Sequence, residues 1–368
     1  MKHLVLLGGE FVHVHLLVRL AQHARQVPLP FRVTLIAPHP QLLEAAMLPA
    51  LVAGHKTAEQ CSVALHSLLH ASGVNYVQGG VCHVDLARKV VVVGRGEPAL
   101  SFGYDALSVD TEPVMDRDLM ERTIPGAREH ALFLRPGSAF PALWNRLLEL
   151  AARQPLRIAV IGAETAGVEL AFALIERLPQ CSVTLVCGGV TPAANHPEAV
   201  QQRVLRRLKD CGITVLPQTC SAIAAGHIVL DQVTHLACDA PVLTLAAQTA
   251  PWLASSGLAL NELGLIAVNE FQQSTSHPQV FAARGVAGPG AGLDVVHAAS
   301  NLAMNLFAAL SGLGLQAYKP RATGLNFVSC GGRYAMASWG RCSFEGRWVA
   351  YWKDWASRRL MARIKARP

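Results

Sequence analysis

Two glycine-bearing segments of this 368-residue chain are equipped for chemistry, Gly8-Gly9-Glu10 and Gly162-Ala163-Glu164-Thr165-Ala166-Gly167. Each follows a short apolar run and precedes a stretch with helical apolar spacing. Such a turn can cradle the pyrophosphate of a dinucleotide. Its first glycine permits a tight reversal, its second lets the backbone approach the phosphate, and its third lets helix and strand pack closely. The free amides and dipole at the helix start then favour negative charge. In the first turn Gly8 holds the first position, Glu10 the second and His13 the third. In the second turn Gly162 and Gly167 hold the outer positions and Glu164 the middle one. Both middle positions therefore bring a carboxylate toward a phosphate. Two unit charges about 4 Å apart repel by roughly 1 kcal/mol in water and about 4 kcal/mol at an effective dielectric of 20. Two readings stand. Either ordinary dinucleotide binding is weakened at both turns, or the side chains turn outward, Glu164 capping its helix where a carboxylate is favourable.

The elements that position these turns are legible. His3-Leu4-Val5-Leu6-Leu7 reads as a buried strand, Leu16, Leu17, Leu20 and Ala21 as a helix face, and Phe31-Arg32-Val33-Thr34-Leu35-Ile36 as the next strand. That is the opening of a nucleotide-binding βαβ unit. The order repeats with Arg157-Ile158-Ala159-Val160-Ile161, a helix over 168–178, and Ser182-Val183-Thr184-Leu185-Val186. Two such units are far more specific than one glycine motif. Further strands are expected at 89–93 and 104–109, helices at 136–152, 204–209 and 295–310, and a helix stop then strand at 211–215. The fold class is α/β, with two Rossmann-like dinucleotide-binding domains, the second inserted into the first. The expected boundaries are 1–135 with 265–330 for the first, 136–264 for the second, and 331–368 for a C-terminal extension carrying an amphipathic helix.

Composition narrows the function classes. Apolar residues make up 51% and charged residues 15%, which supports large cores and excludes disorder. Mean hydropathy is +0.30, yet no run is long and apolar enough for a transmembrane helix. The apolar start is broken at once by Gly8, so it reads as a strand and not a signal peptide. Nine cysteines occur without close pairing, as expected of thiols in a reducing compartment, and neither they nor the fifteen histidines have metal-ligand spacing. Localisation is expected to be cytoplasmic, with a peripheral place on the inner membrane face as the extension of that reading. The net charge of +7 concentrates near the end, where Trp348, Tyr351, Trp352 and Trp355 recur at helical spacing among Arg347, Lys353, Arg358, Arg359, Arg363, Lys365 and Arg367. Over 347–367 this suits a helix lying on an anionic membrane surface, or an aromatic face packed on the chain itself or on a second subunit. Nothing resembles a nucleic-acid-binding pattern.

Taken in order, these motifs resemble the NADH dehydrogenase-like flavoproteins of the pyridine nucleotide-disulfide oxidoreductase superfamily, in the group associated with selenide, water dikinases. The carrying residues are 4–17, Met47-Leu48-Pro49-Ala50-Leu51-Val52-Ala53-Gly54-His55, the second turn with Val168-Glu169-Leu170, Ser274-Thr275-Ser276-His277-Pro278-Gln279-Val280-Phe281-Ala282-Ala283, and Gly332-Arg333-Tyr334-Ala335 and Glu345-Gly346-Arg347-Trp348 with Trp352-Lys353-Asp354. The resemblance implies FAD in the first domain, NAD(P)H in the second, and electron delivery to a quinone or another small acceptor. It implies cofactor contacts from Gly8, Gly9, Glu10, His13, Met47, Pro49, Gly162, Glu164, Gly167, Glu169, Arg284 and Gly285. The chain departs from the family at several of these. Arg284-Gly285 stands where the family has Gly-Asp, no acid follows Ile36 or Val186, and Leu245-Ala246-Ala247-Gln248 replaces Ala-Thr-Gly. The alternative these departures raise is a flavin-free pseudoenzyme that keeps the scaffold for partner binding or assembly.

Overall fold

A computed structural model describes all residues except 95–98, 112–114, 136, 138–139, 246–249, 263, 284–290, 320–323, 341 and 366–368. The first unit opens with β1 (His3–Leu7), α1 (Phe11–Ala24), β2 (Arg32–Ala37), β3 (Asn75–Gln78) and β4 (Ala106–Val109). The second holds β5 (Leu132–Phe133), β6 (Arg157–Ile161), α2 (Thr165–Arg177), β7 (Ser182–Val186), β8 (Thr214–Leu216) and β9 (Ala240–Leu243). The chain then returns through β10 (Val280–Ala282) and α3 (Ala291–Ser311). The two parallel sheets run β10-β4-β1-β2-β3 and β5-β9-β6-β7-β8. One doubly wound unit is thus inserted between the strands of another.

Why β1 and β6 occupy the centres follows from their residues. A strand flanked on both edges by parallel neighbours is covered on both faces, so it reads as a continuous apolar run. All of β1 is buried. Side chains alternate across a strand. Leu4 and Leu6 join a core under α1 and α3, while Val5 and Leu7 join a second core with Val91, Val93 and Trp252. In β6, Ile158 and Val160 face the helical side, whereas Ala159 and Ile161 meet Ile223 and Ile228. The helical core is continuous through α1, α2 and α3, which joins the two units.

Two details go beyond the sequence reading. The valine run at 90–94 lies in an antiparallel sheet with Gly80–Asp85 and Leu100–Gly103, beneath the parallel sheet and not within it. Its alternate valines cover the sheet's outer face, so periodicity alone could not distinguish the two roles. The C-terminal sheet consists of β11 (Leu325–Ser329), β12 (Ala335–Trp339) and β13 (Cys342–Gly346), followed by α4 (Arg347–Lys365). It therefore starts before residue 331, because Cys330 and Gly331–Gly332 form the tight link between its first two strands. The helix expected from 136 is seen as Phe140–Ala151, and that expected at 204–209 runs Glu198–Asp210.

Candidate functional site

The carboxyl ends of β1 and β6 are where each sheet's strand order reverses, the place at which such folds bind ligands. The same construction stands at both. Gly8 is left-handed at φ +94, and a Cβ there would lie 2.0 Å from the Asp110 carbonyl oxygen. Gly162, at φ +122, would meet Thr244 Oγ1 at 2.7 Å. Each first glycine is thus pressed against the neighbouring strand's end, and no side chain fits.

The third positions solve one packing problem in two ways. A Cβ on Gly167 would come within 1.9 Å of the Gly162 carbonyl oxygen, so only glycine lets α2 approach its turn. The corresponding His13 is fully buried, and its Nδ1 lies 2.7 Å from the Gly8 carbonyl. A carbonyl only accepts, so Nδ1 carries the proton and donates it, while Nε2 accepts from the Ser108 hydroxyl at 2.8 Å. Burial lowers the His13 pKa, which keeps this neutral tautomer. Asp110 Oδ2 accepts from the His13 backbone N–H at 2.9 Å, and burial raises the Asp110 pKa. Its Oδ1 is buried and finds no partner among the described residues. Neither Ser108 nor Asp110 was legible as a site residue, since each acts across the sheet.

Glu10 and Glu164 are the N-cap residues of α1 and α2, both with extended backbones. Neither side chain makes a capping hydrogen bond. The reading of Glu164 as a side-chain cap is therefore corrected: it occupies the cap position, but its carboxylate is exposed and makes no capping hydrogen bond. Thr165 next to it donates to Asn195 Oδ1 at 2.8 Å and sits 3.0 Å from His196 Nε2. Arg284 and Gly285 lie outside the described residues.

Met47, Pro49 and Glu169 gather elsewhere, around a cavity of about 650 Å³ between the Leu48–Val52 helix, α2 and α4. Trp348, Tyr351 and Tyr334 line it as well. Glu169 is buried, accepts from the Ser329 N–H at 2.7 Å and pairs with Lys353 Nζ at 2.6 Å. The same ammonium donates to Ser329 Oγ at 2.6 Å. Next to Lys353 on α4, Asp354 pairs with Lys56 at 2.5 Å. Two adjacent residues of α4 thus tie it to both units. Glu169 faces this cavity and not the glycine turn. Sequence spacing marks Lys353 only as part of a basic segment, since its partner lies far away in sequence.

His15, one turn face away from His13, points to Ser300 Oγ at 3.0 Å. The two imidazoles diverge, and the described residues contain no cluster of three or more metal-ligating groups. None of the nine cysteines forms a disulfide among the described residues. Burial, with help from Arg19, pushes the His15 pKa down to about 4, against 6.5 for the unfolded chain. Between those values the unfolded chain binds the extra proton, so stability present above pH 6.5 is lost as pH falls toward 4. We expect acidification from pH 7 to 5 to cost about 2 kcal/mol through this group. His15→Gln should lose that much less across the same range, read from urea midpoints; equal losses in both proteins would exclude the assignment.

A sequence profile of the pyridine nucleotide-disulphide oxidoreductase family matches residues 18–303, a span that includes the second turn and begins beyond the first. The chain belongs to this family. It is similar to the demethylphylloquinone reductase NdbB of Synechocystis sp., 25% identical over 287 residues, covering 75% of this chain and 70% of that protein. The NADH dehydrogenase-like protein YutJ of Bacillus subtilis is also 25% identical, over 67% of this chain and 66% of its own length. Among solved structures, the sulfide:quinone oxidoreductase of Aquifex aeolicus superposes with a TM-score of 0.80 at 17% identity, covering 100% of this chain and 92% of that one. NDH2 of Plasmodium falciparum, solved with NADH, gives 0.77 at 12% identity over 100% and 99%. These likenesses establish the fold over the whole chain.

Membership makes the chain an oxidoreductase whose family implies FAD and NAD(P)H, and the described residues fit a dinucleotide at both turns. The left-handed first glycines are held in place, and the helix starts are not capped by their own side chains. The two middle carboxylates are the departures. The flavin-free scaffold draws no support from the relatives.

Proposed function

We propose that the chain is an FAD-dependent NAD(P)H oxidoreductase that passes electrons to a quinone. FAD is assigned to the unit formed by 1–135 and 265–330, and the pyridine nucleotide to 136–264. The observation that carries this is the duplicate cradle, Gly8 against Asp110 and Gly162 against Thr244. Gly8 and Gly9 would hold the flavin pyrophosphate, with His13 fixing the turn; Gly162 and Gly167 would hold that of the nicotinamide nucleotide. FAD, when bound, supplies hydride acceptance and electron delivery. The quinone acceptor is supported by the names of the relatives, a demethylphylloquinone reductase and a sulfide:quinone oxidoreductase. The aromatic-lined cavity beside Met47, Pro49 and Glu169 has the size and lining for its ring.

Membrane contact through 347–367 belongs to the same reading. In α4, Val349, Met361 and Ile364 are buried, whereas Trp348, Tyr351, Trp352 and Trp355 are exposed. The aromatic stripe is thus largely exposed, although Trp352 meets Phe327 edge-on, Trp348 meets Phe344, and Trp348 and Tyr351 border the cavity. Arg358 and Arg359 stand over the Tyr351 and Trp355 rings, keeping cations beside the aromatics. No helix among the described residues is long and apolar enough to cross a membrane, so the contact would be peripheral, at the cytoplasmic face.

The test is the visible spectrum of the purified protein after incubation with FAD, followed by NADH and a water-soluble quinone without oxygen. Retained flavin absorbance, bleached by NADH and restored by the quinone, is the expected result. A colourless protein would overturn the proposal.

A further inference from the structure

The second unit has its own cavity, of about 670 Å³, at the carboxyl ends of β6 and β7. It starts at the turn glycine Gly162, runs past Cys187 and Gly188, and is closed by the Cys220–Ala224 strand. In a unit of this topology the adenosine half of a dinucleotide lies here, and the residue just beyond the second strand meets the ribose 2′ position. A carboxylate there bonds a 2′-hydroxyl and repels a 2′-phosphate; an arginine does the reverse.

Neither stands among the described residues that line this cavity. The polar lining consists of the Thr123, Thr219 and Ser221 hydroxyls, Gln232, and the thiols of Cys187 and Cys220. Burial pushes both thiols up to about 11, so they are uncharged at neutral pH. Asp231 is close in sequence, but its carboxylate is used by the Thr219 N–H at 2.8 Å and it is not part of the lining. Beyond Val186, Gly188 is left-handed at φ +63, with nothing within 4 Å of where a Cβ would stand.

We infer that this neutral cavity takes the adenosine end of the pyridine nucleotide without reading its 2′ substituent, so that NADH and NADPH are accepted alike. The inference rests on the function proposed above. Discrimination between the two nucleotides would need a charge beside the 2′ position; Cys187 is the residue just beyond β7, and Gly188, next to it in the same lining, is where a charge can be added. Aspartate tolerates the left-handed backbone there better than most residues, and open space receives its side chain.

Isothermal titration of the purified protein with NAD⁺ and with NADP⁺ tests this without relying on turnover. Dissociation constants within about threefold of each other are expected for the natural chain. Gly188→Asp should weaken NADP⁺ relative to NAD⁺ by roughly ten- to a hundredfold, through repulsion of the 2′-phosphate. A preference above about tenfold in the natural chain, or an unchanged ratio in a folded Gly188→Asp variant, overturns the inference while leaving the oxidoreductase reading intact. Absence of binding by either nucleotide overturns both.

Discussion

Truncating Glu169 to alanine is expected to destabilise the folded chain by about 3–5 kcal/mol, the cost of leaving a buried charge without its partner. The side chains of Glu169 and Lys353 retain only 10% and 15% of their exposure. After truncation the Lys353 ammonium keeps a single neutral partner, Ser329 Oγ, and the Ser329 N–H loses its acceptor. Glu169→Gln should cost less, since its carbonyl can still accept from that N–H. Replacing both residues by leucine and methionine should recover most of the loss, because two apolar groups leave no uncompensated charge. Urea denaturation of the four proteins measures this. If Glu169→Ala and the double replacement lose the same amount, the pair is not coupled. The effect should extend beyond local stability, because α4 is tied to both units by Lys353 and Asp354.

Glu10→Gly should tighten FAD binding, by roughly tenfold if the carboxylate stays largely solvated and by up to several hundredfold if it is desolvated beside the pyrophosphate. The argument comes from the turn. Its backbone geometry is intact, and Glu10 sits at the start of α1 without capping it. The substitution thus removes the charge at the middle position and leaves the cradle. Glu164→Gly should act in the same direction on NADH, nearer the lower limit, because Glu164 is exposed. Fluorescence titration with each cofactor checks both. A carboxylate that serves only the helix dipole would behave otherwise, losing about 0.3–1 kcal/mol of stability on removal with no gain in affinity.

Much of the architecture is legible in the sequence. A five-residue apolar run, a glycine reversal and a helix are local patterns, and they occur twice in the right order. That is why β1, β6 and the insertion of one unit into the other were accessible, as were Gly8, Gly162 and Gly167 as turn residues. The valine run at 90–94 was legible as a strand but not as part of a separate antiparallel sheet, since alternation does not name a partner. The start of the C-terminal sheet was missed for the same reason. At His13 the position could be counted but not its function: it substitutes for a glycine by hydrogen bonding the Gly8 carbonyl that a glycine would merely clear.

Local spacing and residue type determined, from sequence alone, that this chain carries two dinucleotide turns and that each has a carboxylate at its centre. Only the tertiary structure decided what surrounds them. Ser108 and Asp110 reach His13 across about a hundred residues of chain, and Lys353 meets Glu169 over a separation of 184. The buried side of α4 was likewise set by packing, through Val349, Met361 and Ile364, with the larger aromatics left more exposed. Such contacts are set by how sheets and helices close on one another, and no periodicity along the chain records them.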